Sequence, residues 1–369
     1  MAASDKISDI KSKGTKWILS VLTATVMFIV FVLAQWWGRE PKQFNILESA
    51  TAQAGLTPEV QPEAEHAQEG EHAQEGEHGS NADVHSYEAL AKNLPIGYTY
   101  ANTLAHIANT LLHKSGGYIT NDVAPPGVLI DNISSWEMGA LVMLRDASTA
   151  LRNHFSRDQS QSGEDPDLAI AEPYFYYEPN SWALPATEAE YEKGIDALHK
   201  YMERLRDPSA GKKAQFYSRA DNLWQYTEVV IKRLGDLSTR LGSNASSDNF
   251  APGLTESEIA EASGKVTAKV GWMEIDNVFY EARGASWALL HILRAIKHDF
   301  HDILLDKRAM RTVEIMIREL ENSLTPTMSP MVLDGNGYGL FANYSLAMAN
   351  YIARANAAAL DLRDIMNRG

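Results

Sequence analysis

Apolar and polar positions follow three regimes along this chain. Residues 17–37 read WILSVLTATVMFIVFVLAQWW with no charge, and at about 1.5 Å per residue such a helix crosses a hydrocarbon core of about 30 Å. Residues 48–86 hold almost no large apolar side chain. From Tyr87 onward the apolar residues recur at helical spacing almost throughout, with few alternating β-branched runs. The pattern predicts helices over 98–114, 134–155, 187–206, 214–241, 275–305, 309–324 and 338–366. Ser134 with Glu137, and Thr187 with Glu190, form S/T-x-x-E boxes that would cap two of them. Tyr191, Ile195, Leu198, Tyr201, Met202 and Leu205 then mark the buried stripe of the helix over 187–206. The fold class expected is all-α: one N-terminal transmembrane helix, a disordered acidic linker, then a multi-helix antiparallel bundle with long loops.

Four segments follow from this: a cytoplasmic basic N-terminus (1–16), the transmembrane helix (17–37), a flexible His/Glu-rich linker (38–86) and a periplasmic helical domain (87–369). Trp17 at one end of the span and Trp36 and Trp37 at the other set indoles at both interfaces. Lys6, Lys11, Lys13 and Lys16 precede it, whereas only Arg39 and Lys42 follow before the acidic stretch. The positive-inside bias then leaves the N-terminus in the cytoplasm of a bacterium and sends the domain across the inner membrane. A cleaved signal peptide is the competing reading, with Val32 and Ala34 as the small residues of its cleavage site. The apolar run exceeds the roughly 7–15 residues of a usual signal core, which favours the anchor.

Charge narrows the partners. The net charge of −15 is uneven: residues 1–40 carry about +2 and residues 41–86 about −8. Beyond the first 16 residues no segment gathers Lys and Arg without matching acids, so nucleic acid is excluded as a partner. The absence of cysteine rules out disulfides, thiolate metal sites and thiol catalysis. No phosphate loop, serine nucleophile elbow or zinc-protease motif occurs, and no cofactor is expected. The repeat over 65–79 carries His66, His72 and His78 beside glutamates. Such tracts collect zinc or copper weakly, but a spacing of six sets successive imidazoles about 120° apart on any helix, so a solvated spacer is the better reading.

Candidate chemistry lies on two helices and in the long loops. His291, His298 and Asp302 share one side of the helix over 275–305, and His298 with Asp302 at i and i+4 has the spacing of a divalent-ion pair. Ala282, Leu289, Leu293, Ile296, Phe300 and Ile303 form the opposite stripe, which predicts that the histidine line faces solvent. On the closing helix Asn343, Asn350, Arg354 and Asp361 line one stripe among many alanines, which reads as a central helix with a structural polar network. Glu281, Arg283, Asp158 and His154 are the candidates for acid and base work. The loops contribute Asn121, Asp122, Asp131, Arg157, Asp334 and Asn336 as candidate binding residues, because loops longer than about 8 residues in bundles tend to be functional. The cluster Glu164, Asp165 and Asp167 lacks the spaced ligands of a calcium loop, and Asp165-Pro166 is a ready helix start.

The strings GGYITNDVAPPGVLIDN, ALRNHFSRDQSQSGEDPDLAIAEP, DNVFYEARGASWALLHILRA and NYSLAMANYIARANAA resemble an uncharacterised proteobacterial inner-membrane family, domain of unknown function twenty-three thirty-three. The resemblance spans the anchor and most of residues 88–366, leaves out the histidine repeat, and implies no activity, cofactor or catalytic residue. The function expected is a membrane-anchored periplasmic interaction or scaffold module of the cell envelope, with envelope proteins or further copies of the chain as partners. The alternative is an envelope hydrolase acting on cell wall or lipid through the Glu, Asp and His groups named above.

Overall fold

The computed structural model describes residues 2–56, 81–158, 163–207, 209, 213–246, 274–327, 332 and 343–368, and every regular element among them is helical. In chain order these are α1 (Ala2–Trp37), α2 (Ile46–Gln53), α3 (Asn81–Ala91), α4 (Tyr98–His113), α5 (Asp131–Ala150), α6 (Leu168–Phe175), α7 (Thr187–Arg206), α8 (Ala220–Ser246), α9 (Ile275–Asp299), α10 (His301–Asp306), α11 (Met310–Ser323) and α12 (Tyr344–Asn367). A single 3-10 turn, Gly127–Leu129, precedes α5 and one π turn, Leu151–Phe155, follows it. Within α1, Lys16–Trp37 is long and apolar enough to cross a membrane, and none of it is buried in the protein.

The bundle is organised by α5 and α9. A Cβ on Gly139 would lie 1.9 Å from the carbonyl oxygen of Glu281, and one on Gly284 would lie 1.9 Å from that of Trp136. The two backbones therefore touch, which only glycine permits. Trp136 packs on Trp287 beside this crossing, with ring centroids 5.1 Å apart, and Phe155 packs on Phe300 beyond it, at 5.0 Å. The two contacts follow in the same order along both segments, so α5 and α9 run parallel. Helices α4 and α11 pack on α9, α8 lies along α12, α6 along α7, and α2 sits on α4. Residues 282–293 of α9 are buried on every side, so this helix is the axis of the domain.

Several boundaries move from those expected. The helix expected at Ser134 begins at Asp131, and Glu137 lies within it, fully buried. Thr187 Oγ1 donates to the carbonyls of Glu178 and Ser181, and Glu190 pairs with Lys193, so neither glutamate closes a capping box. The helix expected over 275–305 breaks at Phe300. Asp165 does start a helix: its carboxylate accepts the backbone N–H groups of Asp167 and Leu168. The start of α4 is capped from afar, because Gly97 offers no side chain and Asp299 of α9 accepts the N–H of Tyr100 at 2.8 Å.

Two larger expectations are overturned. The closing helix is not central: α12 buries Ser345, Met348, Ala349, Ile352, Ala355, Ala358, Ala359, Leu362 and Met366, while Asn350, Arg354 and Asp361 face solvent. The stretch expected to be the first part of a linker is folded, with Ile46, Ala50, Thr51 and Ala54 buried against the domain. The histidine repeat, Asp334 and Asn336 lie outside the described residues.

Replacing Gly139 or Gly284 by alanine forces the central pair apart. Each variant should lose more than the about 1–3 kcal/mol usual for overpacking, read as a fall in the urea midpoint of the detergent-solubilised protein. A midpoint equal to that of the parent would mean that the two backbones do not touch.

Candidate functional site

The residues proposed for acid and base work are each held in a separate place. Glu281 is clamped by the guanidinium of Arg240 at 2.6 and 2.8 Å. Arg283 leaves α9 on another side, where it grips Glu40 at 2.6 and 2.7 Å and the carbonyls of Ser323, Leu324 and Thr325. Asp158 is exposed and meets Arg219 at 3.2 Å. His154 sits half-buried on the π turn, its pKa lowered by burial and by Arg157. Glu281, Arg283 and Asp158 are thus held by three different partners, Arg240, Glu40 and Arg219.

The other candidates are structural or solvated. Asn121 donates to the Ser181 carbonyl at 2.9 Å and to Glu188 at 2.7 Å, tying two loops together. Asp122 lies against Gly127, with its pKa raised by burial and by Glu188. Asp131 opens α5 and is exposed, and Arg157 is half-exposed. Asn343 caps α12 by accepting the N–H of Leu346 at 2.8 Å. Arg354 reaches across to Glu319, a buried acid, at 2.8 Å. His298 meets its neighbour Asp299 at 3.0 Å while Asp302 is exposed. No group of three metal-ligating side chains gathers among the described residues.

Sequence reasoning missed Glu137. Its carboxylate accepts the N–H groups of Ile119 and Thr120, each at 2.8 Å, and pairs with Lys114. Burial raises its pKa, against the pull of Lys114 and Thr120. A buried acid with these partners pins the loop after α4 onto α5.

A cleft of about 830 Å³ lies where α2 and α3 meet the end of α9. Asn45, Ile46 and Leu47 line one side, and Glu88, Lys92, Arg294, Lys297, His298 and His301 the other. Its floor is apolar and its rim is mainly basic. Three of those side chains also touch neighbouring groups: Arg294 meets Glu321, Lys297 meets Glu314, and His298 meets Asp299.

The segment between the span and α2 forms a collar that climbs α9. Trp37 lies on Gly116, which has a φ of +86° and no room for a Cβ. Glu40 then binds Arg283, the Lys42 carbonyl accepts from Trp287 Nε1 at 3.3 Å, and the Phe44 N–H donates to His291 Nε2 at 3.0 Å. The Phe44 ring stacks on His291 at 4.0 Å and 6° and packs on His106 at 4.0 Å. His291 was expected to face solvent. It is instead wholly buried, because the collar covers that side of α9.

The partners of His291 fix its tautomer. Its Nδ1 donates to the Trp287 carbonyl at 2.7 Å, so Nε2 must keep its lone pair for Phe44. A proton on Nε2 would set two donors face to face. Burial pushes the His291 pKa down to about 3, and burial also lowers that of His106.

Both folded values lie below the unfolded value of about 6.5. The unfolded chain therefore takes up protons that the folded chain refuses. Stability from these rings is complete above about pH 6.5 and falls below it, for His291 by up to about 1.4 kcal/mol per pH unit down to about pH 3. The urea midpoint should drop between about pH 7.5 and about pH 5. It should drop less in His291→Gln, whose carbonyl still accepts from Phe44. Equal drops in the two proteins would show that other groups set the acid response.

No curated protein and no solved structure matches the chain. A family model described as an uncharacterized protein conserved in bacteria (DUF2333) matches residues 10–369. That match takes in the span, the collar, the α5–α9 axis and the cleft. The chain belongs to this family of uncharacterized bacterial proteins.

Proposed function

We propose that the protein is a membrane-anchored, periplasmic interaction module of the bacterial inner membrane, without catalysis of its own, that holds an acidic envelope partner in the basic-rimmed cleft. The observation that carries this reading is how the charged groups are deployed. The acid and base candidates lie in scattered pairs, whereas Lys92, Arg294, Lys297, His298 and His301 line one cleft beside Ile46 and Leu47, Arg294 and Lys297 also meeting Glu321 and Glu314. An apolar floor with a charged rim is the anatomy of a protein-binding surface rather than a reaction centre. Electrostatic complementarity at such a rim selects partners and speeds their encounter.

Topology supports the same reading. The lysines before the span and their scarcity after it favour export of the domain. The collar joins the anchor to α9, and Arg294 lies 11 residues beyond Arg283, so the cleft stands roughly 16 Å farther along that helix. A module of this shape presents its binding face away from the bilayer at a set height.

A photo-activated crosslinking residue placed at Lys92 or Leu47 in the full-length protein should capture one discrete acidic partner in intact cells. One placed at exposed Asp361 should not. Lys92→Glu and His301→Glu together should abolish capture while leaving the stability read from urea unfolding within about 0.5 kcal/mol of the parent, as surface substitutions do. Equal capture at Asp361, or capture that survives these substitutions, would remove the cleft as the binding face. A C-terminal reporter active only in the cytosol would remove the periplasmic assignment separately.

A further inference from the structure

The end of the span is not bare. Val30, Leu33, Ala34 and Trp37 are only partly exposed, while Ile29, Phe31, Val32 and Trp36 between them are 47–60 % exposed. Positions i, i+3, i+4 and i+7 form one stripe of a helix, so something covers that side of α1 over its last two turns. The covering element is the 3-10 turn Gly127–Leu129, which contacts α1. Ile130 follows it, with its Cγ2 3.3 Å from where a Cβ of Gly38 would stand.

We propose that this turn enters the bilayer interface beside the span, giving the domain a second, non-spanning membrane contact through Val123, Val128 and Leu129. Residues 123–130 read VAPPGVLI, without a charge or a hydrogen-bonding side chain. Val123 is 64 % exposed, Val128 56 % and Leu129 65 %. A loop tip in water is usually polar, whereas three neighbouring apolar residues beside a lipid-spanning helix match an interfacial element. Trp36 and Trp37 mark the depth, because indoles settle where headgroups meet acyl chains.

From Val128 to Ile130 the backbone also meets the requirement that lipid imposes. Outside water every N–H must find a partner. Val128, Leu129 and Ile130 donate to the carbonyls of Ala124, Pro126 and Gly127, and Pro125 and Pro126 have no N–H to satisfy. The turn is presented rigidly, since Glu137 pins its upstream arm and Asn121 ties it to the loop at Ser181. Asp131, exposed directly after Ile130, sets the polar limit of insertion.

The chain has no cysteine, so Leu129→Cys in the full-length protein accepts a single environment-sensitive fluorophore. Reconstituted in vesicles of phosphatidylethanolamine and phosphatidylglycerol, the probe should emit to the blue. Spin-labelled lipid should quench it, and aqueous iodide should quench it severalfold less than the same probe at Asp302→Cys, on the far side of the domain. Adding Val128→Glu to the Leu129→Cys protein should restore iodide access. A Leu129 probe as open to iodide as the Asp302 probe would overturn the proposal. Protection from iodide without quenching by lipid would overturn it too, because protein and not lipid would then cover the turn.

Discussion

The contact between the backbones of α5 and α9 at Gly139 and Gly284 decides most of what surrounds it. That contact closes one side of α9, and α4, α11 and the collar close the others, so α9 is buried all round over residues 282–293. Its polar groups must then be satisfied from within the protein. Arg283, Trp287 and His291 lie along one side of it, and the collar supplies Glu40, the Lys42 carbonyl and the Phe44 N–H in the same order. The end of α1 is thus joined to the domain by a row of polar contacts that the burial of α9 makes necessary.

That dependence explains which parts of the architecture were legible in the sequence. Helix α7 could be read to the residue, because its apolar positions recur on one stripe and its other faces are charged. Helix α9 could be located but not oriented. The stripe Ala282, Leu289, Leu293 and Ile296 is real, but hydrophobic periodicity identifies a buried side only where another side meets water, and this helix has none over its central turns. His291 was misplaced for that reason. Helix α12 failed in the opposite way: alanine occurs on every side of it, with Ala347, Ala353 and Ala357 exposed and Ala349, Ala355 and Ala359 buried, so the pattern carries no direction. Helix α2 escaped notice because small residues, Ala50, Thr51 and Ala54, do its packing.

The same limit applies to charge. Glu281, Arg283 and Asp158 drew attention as ionisable groups in or near apolar sequence, and each proves to be one half of an ion pair. Pairing of this kind joins elements distant in the chain: Arg283 ties the collar to the end of α11, and Arg240 ties α8 to α9. Removing one member leaves a charge poorly solvated, so such pairs resist loss even where they add little net stability. Sequence shows the charges and not their partners, which is why a cluster of interesting acids and bases and a set of structural bridges look alike until the fold is known.

Seen from the membrane, the collar changes what the acidic segment can do. Were residues 38–86 all flexible, the domain would sample every height and angle above the bilayer. With Glu40 to Ala54 bound along α9 and α4, the acidic stretch no longer separates anchor from domain. The described segments on either side of it, α2 and α3, pack on each other. The distance from the end of α1 to the cleft is therefore set by α9 and not by the length of the acidic segment. Substitutions that loosen Phe44 or His291 then act on orientation as well as on stability, since the polar contacts that satisfy a buried helix are the ones that hold the domain to its anchor.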